Sequence, residues 1–170
     1  MISTTTTSKA SLTFLFVLLF ASSVLSTASG LTPCEETQFN KLVKDYNPYS
    51  FSITTKDGYE NRVYSISKKI DPKKPLIFLQ HGFMDSSNSW VINSDEASIA
   101  KNLANKGYHV LLGNHRGNMY SLGADKALTE TKKKDYWDYG FQDMAKFDIP
   151  AALDRIHKKF KKKIVYIGHS

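Results

Sequence analysis

The sequence has 170 residues, which fits one domain and leaves little room for two. Apolar residues make up 41% of it and aromatics 12%, too many for a disordered chain, so a packed core is expected. Lys and Arg outnumber Asp and Glu by 23 to 16, a net +7 that permits an acidic partner without identifying one, and the single cysteine, Cys34, excludes a disulfide scaffold and a cysteine-rich metal site.

Residues 1–28 read as a signal peptide. An unbroken apolar run from Phe14 to Ala21 follows a weakly charged start, and Ser26-Thr27-Ala28 supplies the small residues a signal peptidase reads. The stretch from Leu12 to Leu25 would span roughly 20 Å as a helix, short of the ~30 Å of a bilayer core, so no stable membrane span is expected. Entry into the secretory pathway follows, with a secreted or a lysosomal or vacuolar destination left open. None of the asparagines lies in an Asn-x-Ser/Thr sequon, so asparagine-linked glycans are not expected.

From Phe39 to Ser170 short apolar runs alternate with helical patterns, without internal repeat or linker, as for one continuous domain. Tyr49 to Thr55 and Arg62 to Ile66 are strand-like runs, and Lys56-Asp57-Gly58-Tyr59 between them predicts a hairpin. Leu76 to Leu79 reads as a strand buried on both faces. Ser94, followed by Asp95 and Glu96, predicts the cap of a helix whose apolar residues Ala97, Ala100, Leu103 and Ala104 share one face and which stops at Gly107. Tyr108 to Leu112 is the next buried strand. Ile149, Ala152, Leu153, Ile156 and Phe160 recur at helical spacing. Pro150 then stands either in the first turn of that helix or at a kink in a longer one starting near Phe141. Ile164 to Ile167 is the third buried strand.

This order predicts an α/β fold with a mostly parallel sheet and an N-terminal β-hairpin. In such sheets ligands bind beyond the carboxyl ends of the strands. Each of the three strands ends there in a glycine-bearing polar motif: Gln80-His81-Gly82-Phe83, Gly113-Asn114-His115-Arg116-Gly117, and Gly168-His169-Ser170. Singly, each is explained by a tight turn; together they predict one site. Gly168-His169-Ser170 is also the front half of a Gly-x-Ser-x-Gly nucleophile elbow, which lifts a serine hydroxyl clear of the sheet. Gly82 lets the backbone turn so that the Phe83 N–H can face a substrate oxyanion.

Several motifs in order resemble the acid lipase family of α/β-hydrolases: Thr55-Lys56-Asp57-Gly58-Tyr59, Leu79 to Phe83, Trp90, Gly113 to Asn118 with Tyr120-Ser121, Trp137, Asp143 to Ala151, and Tyr166 to Ser170. The likeness runs over residues 39–170. It implies an α/β-hydrolase domain, of which these residues form the N-terminal part, and a lipid ester hydrolase acting on triacylglycerol or sterol ester through a serine nucleophile and an acyl-enzyme. By resemblance Ser170 is the nucleophile and the Phe83 backbone N–H is one oxyanion donor. His115 departs from the smaller Ser or Asn usual at its place. The implied partner is a neutral lipid ester at a lipid–water interface, with no cofactor, no metal and no nucleic acid.

In this fold the triad acid and histidine follow the serine in the chain, so both are expected beyond Ser170, and these 170 residues alone are expected to be inactive. All five histidines precede or adjoin the serine, and none is spaced as its base. Acyl transfer or thioester hydrolysis would use the same machinery, and a secreted lipid-binding or membrane-surface protein without catalysis is the reading from another class. The lysines between Lys158 and Lys163, and Lys132 to Lys134, are expected to be a solvated face, with anionic lipid binding as the sharper alternative. Asp135, Asp138, Asp143 and Asp148 do not gather on one helix face and are read as helix-start charges.

Overall fold

The computed structural model describes residues 33–124 and 136–170. The signal-peptide reading, Lys132 to Lys134 and Asp135 lie outside them. Helix α1 spans Pro33–Leu42, with proline in its first turn, where a missing N–H costs nothing. Its Phe39 is fully buried and stacks on Tyr64, with ring centroids 3.9 Å apart. This helix was not anticipated from the sequence.

Strands β1 (Tyr49–Thr54) and β2 (Tyr59–Ile66) form the expected hairpin, in register from Tyr49 opposite Ser65 to Thr54 opposite Glu60. Gly58 takes φ 93°, as this turn requires. The strand resumes at Tyr59, three residues before the strand-like run that begins at Arg62. Polar Glu60 is held there on both sides, by Thr54 and by Gly123 of β5, the two-residue strand Gly123–Ala124.

Strand β3 (Leu76–Gln80) is an interior strand and is buried throughout. It pairs in parallel with β4 (His109–Gly113) on one side and with β6 (Ile164–Gly168) on the other. The sheet order is β1-β2-β4-β3-β6, with β2 antiparallel to β4 and β5 attached to β2. Strand alternation divides the core between the two faces. Ile77, Leu79, Val110 and Leu112 join Phe39, Tyr64, Ala100 and Ala104 on one face. Leu76, Phe78 and Leu111 meet Ala152 and Ile156 on the other. Expected to be buried, β6 is instead half-buried to exposed, because in the described residues it forms one edge of the sheet.

Helix α2 is shorter than its sequence pattern, Ile99–Asn105, and Ser98 caps it, accepting from the Lys101 N–H at 3.2 Å. Ser94 begins only a turn before the helix. Asp95, read with Ser94 as part of the helix cap, accepts the Tyr46 hydroxyl at 2.6 Å and pairs with Lys101 at 3.3 Å, a tertiary bond that overrides the local one. The helix ends as expected at Gly107, φ 85°.

Helix α3 (Ile149–Phe160) presents Ala152 and Ile156 to the sheet, as their spacing predicts. It continues from a helical turn at Phe141–Asp143 through a π-helical segment, Met144–Asp148, closed by the Ile149 N–H on the Met144 carbonyl. Pro150 can offer no N–H, and its ring would crowd the carbonyl four residues back in a regular helix; the wider turn before it relieves both demands. Asp143 is a true helix-start charge, accepting from the Gly140 N–H at 2.8 Å. Asp148 is not: it makes no cap bond and is buried. No helix of the described residues is long and apolar enough to cross a membrane.

Ile156 is the peg between α3 and the sheet, so Ile156→Ala should lower unfolding free energy by about 2–5 kcal/mol with an unchanged urea m-value. Ile99, 54% exposed on α2, is the control. Ile99→Ala should stay within about 0.5 kcal/mol of the parent.

Candidate active site

Register brings the three motifs together. Gln80 stands opposite Gly113 on one side and Gly168 on the other, so the loops after β3, β4 and β6 leave the sheet abreast. The backbone of His169 donates to the Gln80 carbonyl at 3.1 Å, and its ring packs edge-on to Trp90, with centroids 6.3 Å apart. Ser170 follows at φ 69°, a left-handed conformation that costs a serine energy and is common where function demands a sharp turn. A Cβ on Gly82 would come within 2.7 Å of the Ser170 Cβ and 2.9 Å of the His169 carbonyl oxygen. Only glycine lets the two loops approach this closely.

Phe83 follows Gly82 with its side chain 59% exposed, and Met84 adopts φ 59°. Among the described residues nothing accepts a hydrogen bond from the Phe83 N–H. His81 anchors this loop from below. Its Nδ1 donates to the Gly82 carbonyl at 2.7 Å, while its Nε2 accepts from the His115 N–H at 3.2 Å and from Asn118 Nδ2 at 3.0 Å. Both ring nitrogens are therefore engaged as those of a neutral imidazole. Burial lowers its pKa from 6.5 to about 4. Asn118 also donates to Asn114 Oδ1 at 2.9 Å, and Asn114 in turn accepts the Ser87 N–H at 2.9 Å, tying the loop after β3 to the loop after β4.

The loop after β4 is pinned by Arg116. Its guanidinium, almost fully buried, reaches Asp57 Oδ2 at 2.6 Å and Oδ1 at 2.9 Å, and Asp148 Oδ1 at 2.9 Å through Nε and 2.7 Å through NH2. The Arg116 backbone N–H adds a bond to Asp148 Oδ2 at 3.0 Å, and the Tyr59 ring covers the guanidinium at 3.8 Å. Burial opposes the charge of Arg116, but the bonds to Asp57 and Asp148 outweigh it and raise its pKa. Burial likewise works against the two carboxylates. The bonds from Arg116 and Thr55 win for Asp57, and the nearby His115 ring together with the bonds from Arg116 for Asp148, so both pKa values are lowered. Gly117, at φ 77°, has no room for a Cβ against the Tyr139 hydroxyl.

Two adjoining cavities open over these loops. One, ≈ 490 Å³, is lined by Phe83, Met84, Asn118 and Met119; the other, ≈ 270 Å³, by Gln80, Tyr166, Gly168 and Ser170. His81, His115, Phe141 and Met144 border both. Ser170 and Phe83, singled out in the sequence, thus line adjoining cavities, Ser170 the smaller and Phe83 the larger. Of the histidines, His109 is spent on Ser65 at the start of β4, and His157 is exposed on α3. His115 is different. Its Nδ1 lies 3.4 Å from Asp148 Oδ2, within ion-pair range but not aligned as a hydrogen bond.

The sequence places Asp57 in the hairpin turn, Arg116 in the motif after β4 and Asp148 at a helix start, but does not foresee that the three pair with one another. The available signal was an arginine inside an apolar-flanked, glycine-bounded loop, which needs acidic partners from elsewhere in the fold. Among the described residues no cluster of His, Cys, Asp and Glu could hold a metal ion.

Residues 43–94 match the partial alpha/beta-hydrolase lipase region, and residues 75–170 match the alpha/beta hydrolase fold. The chain is also 38% identical, over 136 residues, to a putative lysosomal acid lipase/cholesteryl ester hydrolase of Crotalus adamanteus, covering 76% of this chain and 33% of that one. This chain belongs to the acid lipase family of α/β-hydrolases. Lipase member K of Homo sapiens is 39% identical to this family member over 131 residues, covering 72% and 32% of the two chains. Gastric triacylglycerol lipase of Mus musculus is 38% identical over 132 residues, covering 74% and 33%. The α/β-hydrolase fold is shared with an esterase of Pyrococcus furiosus at a TM-score of 0.50 and 20% identity, over 76% of this chain and 41% of that one. The chain spans about a third of the length of the curated relatives it matches.

The buried groups set an acid limit on this acid lipase domain. His81, with a folded pKa of about 4 below its ordinary 6.5, binds fewer protons folded than unfolded between those values. Stability should fall by about 3 kcal/mol as pH drops through that window and then level off with respect to His81. Asp57 and Asp148 act lower: their stabilisation is present above the ordinary carboxylate range and is lost as pH falls through their depressed values. Urea unfolding of His81→Gln between pH 7 and pH 4 should show the first loss removed; an unchanged slope would refute the assignment. At neutral pH Arg116→Ala should cost about 3–5 kcal/mol, because it leaves two buried carboxylates unpaired.

Proposed function

We propose that the protein is a lipid ester hydrolase in which Ser170 is the nucleophile and the Phe83 backbone N–H stabilises the oxyanion. The observation that carries this reading is the packing of Ser170, at φ 69°, against Gly82, where three in-register strand ends bring their loops to adjoining cavities. Ser170 Oγ attacks the ester carbonyl while a general base takes its proton. The carbonyl oxygen becomes the oxyanion and accepts from the Phe83 N–H. Collapse of the tetrahedral intermediate expels the alcohol, which takes a proton from the base, and leaves an acyl-serine. Water then attacks that ester by the same steps in reverse, freeing the acid and Ser170.

Apolar groups at the larger cavity, Phe83, Met84, Met119 and Phe141, suit a lipid acyl chain, and the names of the relatives, cholesteryl ester hydrolase and triacylglycerol lipase, agree with a neutral lipid ester as substrate. They also agree with a protein of the secretory pathway, delivered to the lysosomal lumen or secreted. The histidine and acid of the triad belong, in this reading, to sequence following Ser170, as in other α/β-hydrolases. A second assignment of the base is favoured by one observation: His115 has the buried Asp148 behind it and borders the cavity that Ser170 lines.

In the protein at the length of its relatives, a serine-reactive phosphonate should label Ser170, and Ser170→Ala should abolish labelling and lower kcat by ~10⁶. Full turnover in the alanine variant would end the nucleophile assignment. Phe83→Leu should be tolerated, whereas Phe83→Pro, which deletes the donor, should lower kcat by about 10²-fold or more. His115→Asn decides the base: a collapse of kcat matching Ser170→Ala places it at His115, and retained kcat places it downstream.

A further inference from the structure

A third cavity, ≈ 460 Å³, takes no part in this chemistry. It lies where Ser52 to Thr54 of β1 face Pro150 and Ala151 of α3, and its walls carry four cations, Lys56, Lys146, Arg155 and Lys158, against one carboxylate, Asp154. The cations come from three separate segments, the hairpin turn, the π-helical segment and α3, so their convergence is a product of the fold and not of one lysine-rich helix. All four are exposed, and none enters an ion pair among the described residues. The acids beside two of them in the chain are turned away: Asp57, next to Lys56, and Asp148, two residues from Lys146, are both bound to Arg116. The fold thus leaves Asp154 as the one carboxylate lining this cavity among the described residues.

Between the charges the wall is apolar, formed by Ile53, Phe147, Pro150 and Ala151. A ligand matching both features carries a compact anion on an aliphatic stem. Four cations spread round an open rim suit a plane of anions better than one free ion. The cavity stands beside β1, the outermost strand of its edge, while Ser170 follows β6 at the opposite edge. Occupying one site leaves the other open.

We propose that this cavity binds the phosphate headgroup of an anionic phospholipid at a lipid surface, independently of the ester chemistry assigned to Ser170. Lys and Arg donate to the phosphoryl oxygens, and the glycerol and upper acyl carbons lie on Phe147 and Pro150.

The test is sedimentation of the full chain with phosphatidylcholine vesicles, with and without phosphatidylserine. Binding should require phosphatidylserine and should weaken as salt shortens the screening length from about 10 Å at 0.1 M to about 3 Å at 1 M. Each cation near an anionic surface is worth about fivefold in affinity, so the double variant Lys146→Gln with Arg155→Gln should bind roughly 30-fold more weakly. Lys69→Gln with Lys73→Gln removes the same charge from exposed positions elsewhere and should change binding less than about twofold, each variant being checked by circular dichroism for the parent fold. Equal loss in both double variants would overturn the site in favour of net charge. Equal binding to phosphatidylcholine alone would overturn the headgroup, as would binding of inorganic phosphate without any binding of vesicles.

Discussion

The guanidinium of Arg116 is the point on which the arrangement of this domain turns. It is buried, and burying a full charge is unfavourable unless it is paired and its hydrogen bonds are satisfied. Four bonds from its five N–H groups go to Asp57 and Asp148, and the Tyr59 ring closes one face. Those partners come from the hairpin turn and the approach to α3, far apart in sequence. A charge that tolerates only this environment therefore fixes three segments at once, and with them the loop after β4 that borders both upper cavities. The geometry is self-correcting, since any shift of one segment leaves an unpaired ion in the interior.

Above that anchor the site is built mostly from backbone. Parallel pairing aligns three strand ends, glycine at 82 admits the serine, and His81 holds the Gly82 carbonyl so that, among the described residues, the next N–H is left without a partner. A neutral, buried imidazole suits that task better than an exposed one, because its two nitrogens must be one donor and one acceptor at the same time. The histidine is used here as a shaped polar spacer, and its low proton affinity follows from the place it occupies.

Strands β3 and β4, the hairpin and the inward stripe of α3 were legible in the sequence because each rests on periodicity or on a turn signal confined to a few neighbouring residues. Ser170 and Phe83 were singled out for a similar reason: each follows a strand in a local motif, and the roles proposed for them start from those motifs. What escaped the sequence depends on distant partners. Ser94 with Asp95 and Glu96 is a sound local cap, but Tyr46 claims Asp95 and the helix begins at Ser98. Asp148 sits where a helix-start carboxylate belongs, yet Arg116 takes it inward. The strand character of Glu60 comes from its neighbours on both sides and not from its own pattern. In each case a bond across the fold outweighs a local preference of comparable size.

The widened turn at Met144–Asp148 has a consequence for how this region can change. Successive residues of a helix point about 100° apart, so one added position rotates everything before it relative to everything after it. Here that rotation lets the start of the helical run face the cavities while Ala152 and Ile156 face the sheet. A one-residue deletion before Asp148 in this stretch would straighten the helix and swing Asp148 off its arginine, although Asp148 and Arg116 themselves were kept. Spacing along this helix is thus as much a determinant of the domain as composition, and homologous sequences that differ here by a single gap are not interchangeable parts.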